Sequence, residues 1–167
     1  MRMFVADFET TTNEDSTHVW AWAVCEVGNP DNIEIGTTID SFMEWCESQL
    51  DNVKVFFHNL KFDSQFIIYW LFHHGFEHVE QTDRASKTFT TLISNKGLYY
   101  ALEVVFYLKG KNVKKVTFQD SLKLIPLSVD AIAKSFHLPI QKLKIDYKAH
   151  NDLPEGAPLT PEEKEYI

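Results

Sequence analysis

The stretch Val53-Lys-Val-Phe-Phe-His-Asn-Leu-Lys-Phe-Asp63 decides the fold. Its first five residues, Val53 to Phe57, form a short apolar run that reads as a buried strand. A helical pattern follows from about Lys61 to His74. Phe62, Phe66 and Trp70 share one face with Ile67 and Leu71 beside it, and Gly75 stands where the helix should stop. A buried strand that feeds a helix is the unit of an α/β sheet, not of an all-β sandwich.

On the N-terminal side, Met3 to Phe8 reads as a strand that ends in acidic residues. His18 to Val27 reads as its partner across the loop 10–17, and Ile33 to Thr37 as a third strand after the turn Gly28-Asn-Pro-Asp31. Phe42, Trp45, Cys46 and Leu50 recur at helical spacing, so a helix is predicted over 40–50. On the C-terminal side, Thr88–Ser94 and Leu98–Leu108 read as a hairpin turning through Asn95-Lys-Gly97. Lys114–Asp120 is a further strand, and Ser128 is the N-cap of a helix reaching Phe136. Antiparallel pairs mixed with one strand-helix unit predict a mixed α/β sheet flanked by helices, in one domain over 1–167.

Charge is unevenly spread. Residues 1–108 hold 6 Lys and Arg against 16 Asp and Glu, whereas 109–150 hold 9 Lys against 3 Asp. A basic stretch beside an acidic one suits a polyanion held near a cation site, although it also suits an ordinary solvated surface. The run Lys109 to Lys115 reads equally well as a basic hairpin turn. His73, His74 and His78 read as a polar helix end. Cys25 and Cys46 stand apart and form no zinc pattern. No signal peptide or membrane-length apolar run is present in this sequence, which points to a cytoplasmic protein without membrane association.

Two short motifs carry the chemistry. In Asp7-Phe8-Glu9 the acids lie two apart on a strand, so they leave the same face about 6.6 Å apart while Phe8 points to the core. Paired carboxylates suit hard cations such as Mg²⁺ or Mn²⁺. In His58-Asn-Leu-Lys-Phe-Asp63 the acid falls in a first helical turn. Alone, it reads as a partner of the helix dipole, and Asn59 reads as a cap.

Together, Asp7-Phe-Glu-Thr-Thr-Thr12 and His58-Asn-Leu-Lys-Phe-Asp63 resemble the first two exonuclease motifs of family-B DNA polymerases. The likeness is to the protein-primed polymerases of small phages and linear plasmids. Asp120-Ser-Leu-Lys123 and Lys142-Leu-Lys-Ile-Asp-Tyr147 extend the resemblance along the chain. It implies an RNase H-like fold and two-metal 3′–5′ hydrolysis of single-stranded DNA. By the same resemblance, Asp7, Glu9 and Asp63 are metal ligands for Mg²⁺ or Mn²⁺. Lys142 meets the scissile phosphate, and Tyr166 orients the attacking water. Thr10, His58, Asn59, Phe62, Ser121, Leu122 and Tyr147 contact the 3′ strand. A terminal-protein primer is implied as a partner of the longer polymerase.

The family's third motif is Tyr-x-x-x-Asp on a helix. Thr160-Pro-Glu-Glu163 is a capping-box start, so a helix begins at Pro161 and Tyr166 matches the motif tyrosine. The matching aspartate would fall beyond Ile167, which reads as a cut within that helix. Three expectations follow. Tyr166 should sit on a frayed last turn, Glu163 and Glu165 should not replace the aspartate, and cleavage should be impaired. A non-cleaving module that grips single-stranded DNA is the first rival. A glycosidase using two carboxylates is the second, separable by its indifference to chelators.

Overall fold

A computed structural model of the chain describes residues 1–93, 99–139 and 142–167. Eight strands form one sheet in the order β3-β2-β1-β4-β8-β7-β6-β5. They are β1 (Arg2–Thr10), β2 (Val19–Glu26), β3 (Asn29–Gly36), β4 (Val53–Phe57), β5 (Glu77–His78), β6 (Thr88–Ile93), β7 (Tyr99–Lys109) and β8 (Asn112–Asp120). The helices are α1 (Ile39–Ser48), α2 (Leu60–His73), α3 (Val129–Ser135) and α4 (Pro161–Tyr166). The expected mixed α/β sheet of the RNase H-like kind is therefore what the chain forms.

Three adjacent strands at the centre run the same way. β1 pairs in parallel with β4, and β4 with β8; β2, β3, β7 and β6 flank them through antiparallel pairs. Parallel strands carry their C-terminal ends to the same edge of a sheet. Ala6, Phe57 and Asp120 therefore stand side by side in register, and β1 runs on past them through Asp7 and Glu9. This one fact of topology gathers three distant motifs.

Beneath the sheet, Phe4, Phe8, Val55, Phe57 and Phe118 meet α1 through Phe42 and Trp45, with Phe8 and Phe42 edge-on at 4.8 Å. The alternation in β1 is strict from Phe4 to Phe8, with Phe4, Ala6 and Phe8 buried and Val5 and Asp7 open on the opposite face. α2 offers Leu60, Ser64, Ile67 and Leu71 to this core. Phe66 and Trp70 pack partly against its margin, and Phe62 stays 44% exposed. The helix is apolar nearly all round, so spacing alone did not single out the face that is buried.

Three details differ from the sequence reading. The β2–β3 turn is tighter than Gly28–Asp31: it closes at Val27-Gly28, with Gly28 at φ 88°. β3 then starts at Asn29 and includes Pro30, which an edge strand tolerates because its missing N–H faces no neighbour. β5, paired in parallel with β6, is too short to leave a periodic signal. The expected turn at 95–97, with Ser94 and Leu98, lies outside the described residues. The basic run 109–115 is indeed a hairpin turn between β7 and β8. His73 and His74 close α2 by bonding the carbonyls of Tyr69 and Trp70 at 2.8 Å, and Gly75 follows at φ 77° as the left-handed stop. Among the described residues, no helix is long and apolar enough to cross a membrane.

Candidate active site

Asp7 and Glu9 lie on the open face of β1 at its C-terminal end. A bulge falls between Glu9 and Thr10, where the pairing with β2 shifts. Bulges re-aim side chains, and this one sits at the acidic pair. Thr10 follows at the strand end, half-buried.

The second motif is bent over the same edge. Asn59 adopts φ 81°, a left-handed conformation that asparagine tolerates better than most residues. Its side chain makes no cap for α2, so the capping role expected for it alone is not taken up. Its backbone N–H instead donates to Asp120 Oδ1 at 3.2 Å, and the same oxygen accepts from Leu122 N–H at 2.9 Å. Asp120 is buried at the end of β8 and thereby locks the strand-to-helix turn. Asp120 belongs to the Asp-Ser-Leu-Lys motif, and its task, that of a buried acid held by two backbone donors, is visible only in the fold. His58 is tied in the same way, with Nδ1 3.1 Å from Ser121 Oγ and Nε2 2.7 Å from the Leu127 carbonyl. Ser121 Oγ also lies 3.1 Å from the Phe57 carbonyl. Leu122 is half-buried in the turn that follows.

Asp63, in the first turn of α2, is buried rather than solvated as a dipole partner would be. Burial pushes its carboxyl up to about 8, and the charges of Asp7, Glu9 and Asp120 push the same way. Glu9 rises to about 7, first through burial and then through Asp7; Lys142 and the nearby Tyr166 hydroxyl partly offset this. Asp7 is raised as well, by burial, against a Phe8 backbone hydrogen bond and the charges of Lys142 and His58. Asp7 keeps surface open to water yet is crowded by protein on its other sides, as the floor of a cleft would be. Three carboxyl groups thus sense one another at one sheet edge.

Across from β1, a cleft of about 420 Å³ is walled by Val129, Leu138, Lys142, Leu143 and Tyr166, with Asp7 and Glu9 on the strand side. Tyr166 is reached from behind by the Tyr147 hydroxyl at 3.3 Å. Burial, that hydrogen bond and the charge of Glu9 raise the Tyr166 phenol well above its ordinary range, so it stays protonated at neutral pH. The frayed last turn expected for Tyr166 is not what forms. α4 has its full capping box, and Glu163 is buried against His150 at 3.0 Å. Tertiary contact supplies what so short a helix lacks by itself. Glu163 and His150 carried no signal beyond the capping box.

A second and larger cleft of about 670 Å³ opens beside Phe62, lined by His18, Phe66, Tyr69 and Glu155 among others. Phe62 meets Phe66 edge-on at 5.7 Å and leaves a ring face available. The structure therefore brings Asp7, Glu9, Asp63, Lys142, Tyr147 and Tyr166 around one edge, sets Thr10, Asn59, Ser121 and Leu122 at the adjoining strand ends, and places Phe62 at the entrance to a neighbouring groove. Among the described residues, no three His, Cys, Asp or Glu side chains converge tightly enough to form a ready metal cage. The donor set nevertheless fits hard cations: oxygen ligands, partly desolvated, whose mutual repulsion a divalent charge would relieve.

The sequence places this arrangement in a known group. Residues 45–165 match the family described as DNA polymerase type B, organellar and viral. The chain belongs to that family. It is 46% identical over 167 residues to the DNA polymerase of Bacillus phage B103 and 40% identical to that of Bacillus phage phi29, covering 99% of this chain and 28% of each relative. Solved structures agree: phi29 DNA polymerase complexed with single-stranded DNA superposes with a TM-score of 0.88 at 37% identity, over 99% of this chain and 28% of that one. The chain thus spans a little over a quarter of the length of the polymerases it matches.

Proposed function

We propose that residues 1–167 form a 3′–5′ exonuclease unit of a protein-primed family-B DNA polymerase, hydrolysing the 3′-terminal phosphodiester of single-stranded DNA. The observation that carries this reading is the grouping of Asp7 and Glu9 on β1 with Asp63 in the first turn of α2, each carboxyl raised by burial and the latter two further raised by neighbouring acids. The solved relative carrying single-stranded DNA supports the substrate class. Polymerisation and a terminal-protein primer belong, on the same reading, to the longer protein.

Asp7, Glu9 and Asp63 would hold Mg²⁺ or Mn²⁺, which supplies water activation and stabilises the leaving 3′ oxygen. The remaining steps are the chain's own. Tyr166, a neutral phenol between Tyr147 and Glu9, donates a hydrogen bond and orients the attacking water. Lys142 lies over the acids and offsets charge developing on the phosphate. Phe62 offers a face for a terminal base, and Leu122 an apolar edge. Thr10 and Asn59, at the ends of β1 and β4, border the strand's path. His58 and Ser121, bonded to each other, shape the turn on which that path runs.

A 5′-labelled oligonucleotide with Mg²⁺ or Mn²⁺ tests the proposal. The expected product is a ladder shortened from the 3′ end, lost on adding chelator and lost in Asp7→Ala and Glu9→Ala. A folded chain that binds the oligonucleotide without shortening it would instead be a non-cleaving single-strand module. The open spacing of the acids is the observation that favours that second reading.

A further inference from the structure

α4 has only six residues, too few to hold a helix in water, yet it carries Tyr166, which lines one cleft with Asp7 and Glu9. Something outside the helix must set its position. Glu163 is 7% exposed and uses both carboxyl oxygens: Oε2 accepts the Thr160 N–H at 2.9 Å, and Oε1 accepts from His150 Nε2 at 3.0 Å. A carboxylate only accepts, so the proton sits on His150 Nε2, and Nδ1 is buried without a partner among the described residues. The His150 ring is 2% exposed and stacks flat on Trp20, with centroids 4.0 Å apart at 6°. Trp20 is the extra β2 residue opposite the bulge, between Ala21, which pairs with Glu9, and Val19, which pairs with Thr10.

The next residue closes the frame. Asn151 Oδ1 accepts from Thr12 N–H at 2.9 Å, its Nδ2 donates to Thr12 Oγ1 at 2.8 Å, and its carbonyl accepts from Asn13 Nδ2 at 2.8 Å. His150-Asn151 is therefore pinned both to the continuation of β1 and to β2. Glu163 hangs from it, and Tyr166 lies three residues on, along the same side of the helix. The chain of contacts leaves β1 just after Glu9 and ends on α4, whose Tyr166 faces the cleft that Glu9 lines.

We infer that His150 and Asn151 are positioning residues, a brace that holds Tyr166 in the cleft beside Glu9 by tying α4 to the β1–β2 bulge. The inference deepens the exonuclease reading by naming what aligns its tyrosine, and it can be tested without cleavage. An ordinary core contact would stabilise the fold without linking Tyr166 to Glu9; a brace links them.

The test uses the chain labelled with 3-fluorotyrosine, the Tyr166 signal being assigned by its loss in Tyr166→Phe. Glu9→Gln is introduced into the unaltered chain, into His150→Ala, and into His150→Gln, which keeps an N–H donor near the position of Nε2. The expected result is a displaced Tyr166 resonance in the unaltered chain. That displacement should fall to less than about half in the His150→Ala background and largely return with His150→Gln, while the Tyr69 and Tyr107 signals stay in place. Asn151→Ala, at a more exposed residue, carries the same expectation should His150→Ala not fold. An undiminished response of Tyr166 to Glu9→Gln in the His150→Ala or Asn151→Ala background would overturn the brace, as would no response in the unaltered chain. Where cleavage is measurable, the brace variants should lose kcat with KM little changed. A chain that cleaves nothing defeats the exonuclease reading and leaves the resonance test standing.

Discussion

The acids and the tyrosine of this site are held in opposite ways. Asp7, Glu9 and Asp63 take their positions from backbone: the register of β1, β4 and β8, a bulge, and the left-handed turn at Asn59 locked by Asp120. Tyr166 takes its position from side chains on a short helix and a loop. The sheet holds its carboxylates where they repel one another. The tyrosine arm has no such strength and relies on a few buried polar contacts. The crowded carboxyls thus sit on backbone fixed by the sheet and the turn into α2, and the tyrosine sits on an arm held by side chains.

The sharpest break between the two regions is expected from cation binding. Asp7→Ala and Glu9→Ala should each weaken Mn²⁺ affinity by about tenfold or more in a calorimetric titration, because each removes a charged oxygen donor. Tyr166→Phe should leave that affinity almost unchanged. Equal losses in all three variants would erase the distinction.

A pH effect of intermediate size follows from the crowding. Glu9 and Asp63 ionise at about 7 and about 8 in the folded chain, against ordinary values of 4.5 and 3.8. Between those limits the folded chain holds more protons than the unfolded one, so stability falls as pH rises. The contribution is complete below the ordinary values and lost once pH passes about 8. In chelator, the melting temperature should therefore decline from pH 5 to pH 8 beyond what the rest of the chain produces. Asp63→Asn should flatten the decline, and Mn²⁺ should reverse it at the alkaline end. A slope unaffected by Asp63→Asn would show that the acids do not repel as described.

The smallest effects concern Phe62. Half-exposed on α2, it should lose about 1–3 kcal/mol of single-strand affinity on Phe62→Ala if a base stacks there. The melting temperature should hardly move, since few core contacts are lost. Anisotropy with a short labelled strand and thermal melting together decide it. A lowered melting temperature with unaltered affinity would make Phe62 a packing residue.

The strand-borne half of the site was legible in the sequence because its signal is local. Asp7 and Glu9 share a face by a period of two, whereas Asp63 alone reads as a helix-dipole partner and gains its ligand role only from the motif resemblance. Tyr147 and Tyr166 came with the motif resemblance, but what holds their arm was not legible. His150 meets Glu163 and Trp20, and Asn151 meets Thr12, through contacts that no periodicity announces. The capping box at Thr160 revealed where α4 starts but not what holds it, so its last turn was expected to fray. Phe62 was named by the resemblance, but its exposure was not legible, because an almost wholly apolar helix gives spacing no way to choose its buried side. Asp120 was visible as a motif letter, but its two backbone bonds exist only once β8 lies beside β4.

The central claim, that crowded carboxylates at this sheet edge are cation ligands, is tested most directly by proton release. Mn²⁺ is titrated calorimetrically near pH 6.5 in buffers of different ionisation enthalpy. Glu9 and Asp63 are then largely protonated in the free chain, and a binding cation must displace those protons. The expected result is a release of about one to two protons per chain, reduced in Glu9→Gln and in Asp63→Asn, with affinity rising toward pH 8. Binding without proton release, equally strong in both variants, would place the cation elsewhere and contradict the site.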